Sequence, residues 1–365
     1  MGLDPDLLRS SAPLTVLPTR ETPVRPVPPL PRRLQVEITG ACNLRCRMCL
    51  VRYRPRIDKV EGAFPLERFV ALLDELPDLE QVTLQGLGEP LLHPDLVAMV
   101  VAAKHRGIEV GFNTNGTLLT ASRAEALVVS GVDWMHVSID GATAATFEHI
   151  RDGARFDRVV RNLRRLLDTR RRLGSPTPRI QLNTVLMRSN VHELDELVRL
   201  AVDIGVDRLW LQALSHDFSD TGEDDLAYVE IRSFAQDEAL WAGNPHDPDH
   251  DPPLHEVLAS GRLLATRLGL ELRLPEDGPP DELTAGHDTA LPCDWPWTSA
   301  YITHDGKVQP CCMVMGDDRA VIGDIADGGF AEVWRSEAYD RFRRQLLSDR
   351  PPAVCRGCSL YRHVF

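Results

Sequence analysis

Long apolar runs are missing from this sequence: the longest, Leu96 to Ala103, falls far short of the roughly 20 residues that a membrane-spanning helix needs. The N-terminus, Met1-Gly2-Leu3-Asp4-Pro5, has no basic start followed by an apolar stretch, so no secretory signal is read and a cytoplasmic protein is expected. Positive charge is in deficit. The 41 Lys and Arg are outnumbered by 54 Asp and Glu, for a formal net charge of -13. That balance argues against a nucleic-acid backbone or an anionic membrane as the main partner. No internal repeat is visible. Cysteine is sparse, at eight of 365 residues, and in a reducing compartment these are better read as metal-binding or catalytic than as a disulfide framework. What the chain does have is length and 43% hydrophobic residues, enough for one large domain or two ordinary ones. Disorder throughout, collagen and a disulfide-stapled miniature fold are thereby excluded.

Eight of the 27 prolines fall within the first 31 residues, which forbids helix and sheet there and marks residues 1–33 as an extended arm or a disordered leader. From Leu34 onward, short β-rich runs alternate with stretches of helical period, the pattern of a parallel sheet covered by helices. Six strands are expected, beginning near Leu34, Gln81, Ile108, Trp134, Arg179 and Arg208. The helix Val191 to Ile204, apolar on one face and followed by Gly205 as a cap, is typical of the connections. Six units without a doubly wound cofactor motif fit an incomplete α/β barrel over residues 34–215, with its active site at the C-terminal ends of the strands. Residues 216–290 read as an acidic insertion and linker. Between His216 and Glu256, twelve Asp or Glu face a single Arg232, which describes a solvated insertion, or a lid or recruiting surface for a cationic substrate. Helices are expected near Leu226 to Trp241 and over Val257 to Leu268, with a linker loop around Pro275 to Leu291. His246, His250 and His255 are too irregularly spaced in a Pro-rich loop to make a good metal site.

Cys42, Cys46 and Cys49 form CxxxCxxC immediately after the first strand. Three thiolates on one loop satisfy three irons of a 4Fe–4S cube and leave the fourth iron open to an outside ligand. Zinc would want a fourth protein ligand or a bound water, and this loop has no histidine.

Here the sequence resembles the radical S-adenosylmethionine (SAM) superfamily. The resemblance implies a partial (β/α)6 TIM-like barrel, SAM bound at the open iron through its amino and carboxylate groups, and reductive cleavage to a 5′-deoxyadenosyl radical. Gly86-Leu87-Gly88-Glu89-Pro90 is similar to the family's Gly-Gly-Glu-Pro segment, which receives the SAM amino group; glycines let carbonyls approach and a carboxylate suits an ammonium. Asn113-Thr114-Asn115-Gly116 and Ser138-Ile139-Asp140-Gly141 end the third and fourth strands and resemble SAM-contacting positions, with Ser138 and Asp140 suited to ribose hydroxyls. Each could equally be a turn. Arg151 resembles an arginine that pairs with the SAM carboxylate. Asn183 and Gln212 follow the fifth and sixth strands on the same expected face. The implied cofactor-binding set is therefore Gly88, Glu89, Pro90, Asn113, Asn115, Ser138, Asp140, Arg151, Asn183 and Gln212. Two positions depart from the family pattern: Met48 replaces an aromatic residue, and Leu87 replaces the first glycine.

Residues 291–365 hold the other five cysteines. Cys293, then Gly306-x4-Cys311, then Cys355-x2-Cys358, with Asp305-Gly306 turning between strands Ser299 to Thr303 and Lys307 to Gln309, resemble the SPASM/twitch extension of radical SAM enzymes. That extension is a small cysteine-rich domain with a β-hairpin. Four of these cysteines imply one auxiliary 4Fe–4S cluster, although structural zinc shares the signature. Either Cys311 or Cys312 is its ligand. If Cys312 is spare, it is a packing thiol or a candidate hydrogen donor.

The resulting expectation is an oxidoreductase or epimerase acting on a small molecule, since residues 1–33 are too short and too Pro-rich for a leader-recognition domain. Radical modification of a peptide or protein is the alternative, and a non-catalytic iron-sulfur or zinc protein the alternative of another class. Flavodoxin or ferredoxin is the expected electron donor. The stretch Arg151 to Arg172, with nine arginines and three aspartates, is either its docking face or a solvated helix.

Overall fold

In the computed structural model, residues 28–56, 62–214, 218–222, 226–240, 253–277, 293–314 and 319–361 are described. Most of the Pro-rich arm, Trp241, His246 and His250 with their loop, and most of the Pro275 to Leu291 linker lie outside them. The strands are β1 (Arg33–Val36), β2 (Gln81–Leu84), β3 (Glu109–Thr114), β4 (Trp134–Ser138), β5 (Arg179–Val185), β6 (Arg208–Gln212), β7 (Glu271–Arg273), β8 (Ser299–Ile302), β9 (Lys307–Gln309) and β10 (Gly323–Asp324). They form one sheet in the order β10-β9-β8-β1-β2-β3-β4-β5-β6-β7. From β8 through β1 to β7 every neighbouring pair is parallel; β9 and β10 add an antiparallel hairpin edge.

Helices α1 (Leu66–Glu75), α2 (Leu96–His105), α3 (Ala121–Ser130), α4 (Ala144–Ile150), α5 (Phe156–Arg172) and α6 (Leu194–Ile204) connect the successive strands. Their starts and stops follow local chemistry. The Thr120 and Thr143 side chains accept from the first turns of α3 and α4, and Gly131 and Gly205 adopt the left-handed conformation that ends α3 and α6. Along α5, Val159, Val160, Leu163, Leu166 and Leu167 are buried. Its arginine face is laced with ion pairs, Arg164 to Asp203, Arg170 to Asp207 and Arg172 to Glu125 among them.

The sheet runs on past the six expected strands at both edges. After α7 (Leu226–Glu238), α8 (Leu254–Leu268) packs on α6, where Gly261 leaves room for the Leu194 side chain, and β7 then pairs with β6. Three residues are too few to show a strand period, so Glu-Leu-Arg carries no strand signal of its own. At the other edge, β8 of the C-terminal part pairs with β1 across some 260 residues of sequence, Leu34 opposite Ala300.

Strand alternation splits the sheet into two unlike faces. Leu34, Val36, Val82, Leu84, Val110, Phe112, Met135, Val137, Ile180, Leu182, Leu209 and Leu211 turn toward the helices and are buried in the main core. The alternate residues, including Gln35, Gln81, Thr83, Asn113, Trp134, His136, Gln181, Asn183, Arg208, Trp210 and Tyr301, line a cavity. Parallel strands covered on both sides by helices would be apolar throughout; these instead present polar and aromatic side chains to a cavity.

Candidate active site

The Cys42 to Cys49 loop leaves the C-terminal end of β1 and is pinned on two sides. Gly40 N donates to Gly62 O at 2.8 Å, while Arg45 N and Arg47 N donate to Asp152 O and Ile150 O, each at 3.0 Å. All three thiols are at least half-buried, and burial pushes Cys42 up to about 11. A nucleophilic cysteine needs the opposite shift. The Arg151 guanidinium lies 3.8 Å from Cys46 Sγ and is held from behind by Asp140, Nε to Oδ2 at 2.5 Å. Asp140 is fully buried, and its other oxygen accepts from Val185 N at 2.8 Å. Neither carboxylate oxygen is left for a ribose. The residue orients Arg151, which corrects the expectation for Asp140.

The segment Gly86 to Pro90 runs against this loop. Glu89 N donates to Ala41 O at 2.8 Å, and a Cβ on Gly88 would sit 2.1 Å from Thr39 O and 2.6 Å from Ala41 O. Glycine is therefore required there by close backbone approach. The Glu89 carboxylate is used internally: it accepts from Leu91 N at 3.1 Å, Thr114 Oγ1 at 2.6 Å and Asn115 N at 2.7 Å. Burial raises its pKa, opposed by those same bonds. These bonds shape the loop, and at 2% exposed the carboxylate is closed to the ammonium that the resemblance assigns to it. Asn115 is likewise occupied, bonding Asn43 and Thr117. Asn113 is not: it lines the cavity, and among the described residues its buried Oδ1 has no hydrogen-bond partner. Asn183 and Gln212 also line the cavity; Ser138, at the end of β4, is not among its walls. Leu87 packs beside Leu50, Tyr53, Phe218, Tyr228 and Ile231. It thus ties this segment to α7, the helix expected in the acidic insertion.

Sequence reasoning missed a second support. Glu37, on the end of β1, accepts from Leu87 N at 2.7 Å, from Tyr301 Oη at 2.8 Å and bonds His304 Nδ1 at 2.6 Å. The His304 ring fills the space that a Cβ on Gly40 or Gly62 would need. The β8–β9 turn thereby braces both the cysteine loop and the Gly86 to Glu89 segment. Burial alone would raise the Glu37 pKa, but the His304, Leu87 and Tyr301 bonds outweigh it and hold the pKa low. Its stabilisation is thus complete above the ordinary carboxylate range near about 4.3 and lost only as acid titrates the depressed folded value. Glu37→Gln is expected to weaken SAM binding about tenfold, the worth of one charge-assisted hydrogen bond, with iron content unchanged. Equilibrium dialysis with labelled SAM checks this, and wild-type affinity in the variant would refute the bracing role.

The lumen behind these loops holds about 370 Å³. Seven side-chain amides line it, from Gln35, Gln81, Gln85, Asn113, Gln181, Asn183 and Gln212, along with Trp134, Trp210 and Trp295. His136 stacks on Trp134 at 4.4 Å and meets Trp210 edge-on at 6.5 Å. Burial, with Arg208 and Arg179 nearby, lowers its pKa to about 3, so the imidazole is neutral. Gly111 makes room for the Trp134 indole, which a Cβ there would strike. The signal for this wall was in the sequence, as polar residues at every second position of strands that the helices bury.

The five C-terminal cysteines gather beside the lumen. Cys311 touches two apolar groups, one with Val314, Phe342, Val354 and Cys355, the other with Trp210, Met313, Cys312 and Cys358. Burial, then Cys312, Cys358, Cys293 and Cys355, raises its pKa well above the ordinary thiol value. Cys312, unlike Cys311, lines the cavity. Among the described residues no three His, Cys, Asp or Glu are grouped so as to hold a metal ion. A three-cysteine loop, a backbone cradle that a Cβ would fill, an orphaned Asn113 oxygen and a further cysteine group thus fit two clusters and SAM.

Residues 36–202 match the Radical SAM superfamily model, and residues 293–359 match SPASM, the iron-sulfur cluster-binding domain. The chain belongs to the radical SAM superfamily and ends in a SPASM domain; its cofactors are SAM and 4Fe–4S clusters. Among its relatives, the tungsten-containing aldehyde ferredoxin oxidoreductase cofactor-modifying protein of Pyrococcus furiosus is 28% identical, over 90% of this chain and 87% of that protein. A PqqA peptide cyclase of Methylobacterium is 26% identical, over 92% and 81%. SuiB of Streptococcus suis, solved bound to precursor peptide SuiA, shares the fold with a TM-score of 0.65 at 17% identity, over 92% and 70% of the two chains. No helix among the described residues is long and apolar enough to cross a membrane.

Proposed function

We propose that this radical SAM enzyme modifies a peptide, with Cys42, Cys46 and Cys49 holding the SAM-binding cluster and Cys293, Cys311, Cys355 and Cys358 the auxiliary one. Bound there, cluster and SAM supply one-electron reduction and a radical able to take hydrogen from an unactivated C–H bond. Arg151, fixed by Asp140, offers its guanidinium to the SAM carboxylate, and the carbonyls of Gly86 to Gly88 receive the amino group. The observation that carries the substrate class is the wall of seven amides. Gln35 donates to Gln85 O and Gln181 to Asn183 Oδ1; the remaining amide groups, which can donate and accept, match the N–H and C=O of a peptide backbone, while the indoles offer flat apolar surface to a side chain. The similarity to a PqqA peptide cyclase points the same way. These observations move the balance from the small molecule expected from the sequence to the peptide alternative. A cofactor-sized substrate is the second reading, favoured by the name of the Pyrococcus relative, a cofactor-modifying protein.

The test needs no known substrate. Cells expressing this chain are grown in deuterated medium, and their extract is split by ultrafiltration into peptide and small-molecule fractions. Each fraction is offered to the reconstituted enzyme with SAM and dithionite. The peptide fraction is expected to yield 5′-deoxyadenosine one mass unit heavy. Label arising only from the small-molecule fraction would overturn the peptide reading.

A further inference from the structure

We propose that Tyr339 and Arg343 donate hydrogen bonds to the auxiliary cluster and hold it at a higher reduction potential than its four thiolates alone would set. The inference rests on the assignment of that cluster to Cys293, Cys311, Cys355 and Cys358. Both residues lie on the helix Glu337–Leu346, whose first turn is capped by Ser336 Oγ accepting from Tyr339 N at 3.2 Å. The helix buries Tyr339, Phe342, Arg343 and Leu346. Phe342 packs beside Cys311 and Cys355, so this face is turned toward the cysteines.

Tyr339 is 0% exposed, and among the described residues its hydroxyl has no hydrogen-bond partner. The Cys311 thiol is one of the groups that act on it electrostatically. Arg343 is 3% exposed. Its Nε donates to Pro296 O at 2.8 Å, three residues beyond Cys293, and one terminal nitrogen donates to Trp334 O at 2.9 Å. Its guanidinium carbon lies 4.0 Å from the centroid of the Tyr339 ring and 4.4 Å from that of Trp334. The other terminal nitrogen has no partner among the described residues. A buried hydroxyl and a buried guanidinium nitrogen with nothing to donate to are costly, and such groups in a folded protein call for an explanation. Two of them side by side, on the face of a helix that packs against two of the four ligands, share one. Cluster sulfurs are acceptors, a cube with four thiolates is anionic, and donors or positive charge near it favour the reduced, more negative form.

Packing is the competing account: Tyr339 meets Trp334 edge-on at 4.9 Å, and Arg343 ties down the Cys293 loop. Potentiometric titration of the reconstituted holoenzyme, followed by electron paramagnetic resonance, separates the two. Tyr339→Phe removes one oxygen and keeps the ring; Arg343→Lys keeps the charge and loses the planar fork. Each is expected to lower the auxiliary couple by about tenfold in its equilibrium constant, about 59 mV for one electron. The SAM-binding couple should not move, and iron should stay at about eight per chain. An unchanged potential in both variants, or loss of the auxiliary irons in both, would overturn the proposal and leave packing as the role. Failure of the cluster assignment itself would look different, with about four irons in the wild-type protein.

Discussion

Cys46→Ala should reduce 5′-deoxyadenosine formation to background while the C-terminal cysteines keep their cluster, so that iron falls from about eight to about four per chain. The expectation follows from the separation of the two cysteine groups. Cys46 sits in the loop after β1, under the Arg151 guanidinium, and Arg151 is oriented by a fully buried Asp140. None of the five C-terminal cysteines contributes to that loop. Cys311, Cys312, Cys355 and Cys358 pack in groups built on Trp210, Phe342 and Val354 that hold none of the first three cysteines. Cys42→Ala and Cys49→Ala should behave alike, since three ligands that leave one iron open have none to spare. A variant that kept eight irons and still cleaved SAM would refute the ligand assignment.

Gly88→Ala should abolish SAM binding, by about a hundredfold or more, without unfolding the barrel. A methyl group there meets two backbone oxygens, those of Thr39 and Ala41, which cannot rotate away as a side chain could. Relief requires Gly88 and the cysteine loop to separate, and on the proposed function it is their alignment that would let the carbonyls of Gly86 to Gly88 receive the SAM amino group. Overpacking of this kind costs roughly 1–3 kcal/mol or more, with about 1.4 kcal/mol for each tenfold in affinity. Gly222→Ala is the matched control, because nothing lies within 4 Å of a Cβ added there. Dialysis with labelled SAM, alongside thermal melting, reads both. Near-normal affinity in Gly88→Ala would mean that SAM is held elsewhere.

The six central strands and their helices were legible because each leaves a local mark: alternation, helical period, a Thr cap or a terminal glycine. The cysteine groups were legible by spacing. What could not be read were choices made by tertiary partners. β8 joins β1 across most of the chain, β7 is three residues long, and Glu89 and Asp140 spend their carboxylates on backbone amides, a threonine and an arginine. Glu37 and His304 are far apart in sequence and carry no motif, yet their contact braces the cysteine loop and the Gly86 to Glu89 segment. The polar lumen lies between these cases. Gln35, Gln81, Thr83, Gln181 and Asn183 alternate with buried aliphatic residues in plain view, and that pattern contradicts a parallel sheet apolar on both faces.

Anaerobic reconstitution followed by dithionite and SAM, with 5′-deoxyadenosine quantified, is the most direct measurement. A protein carrying about eight irons is expected to release 5′-deoxyadenosine and methionine together, and Cys46→Ala to release neither. Both clusters intact with no 5′-deoxyadenosine formed would contradict the radical SAM account of this site.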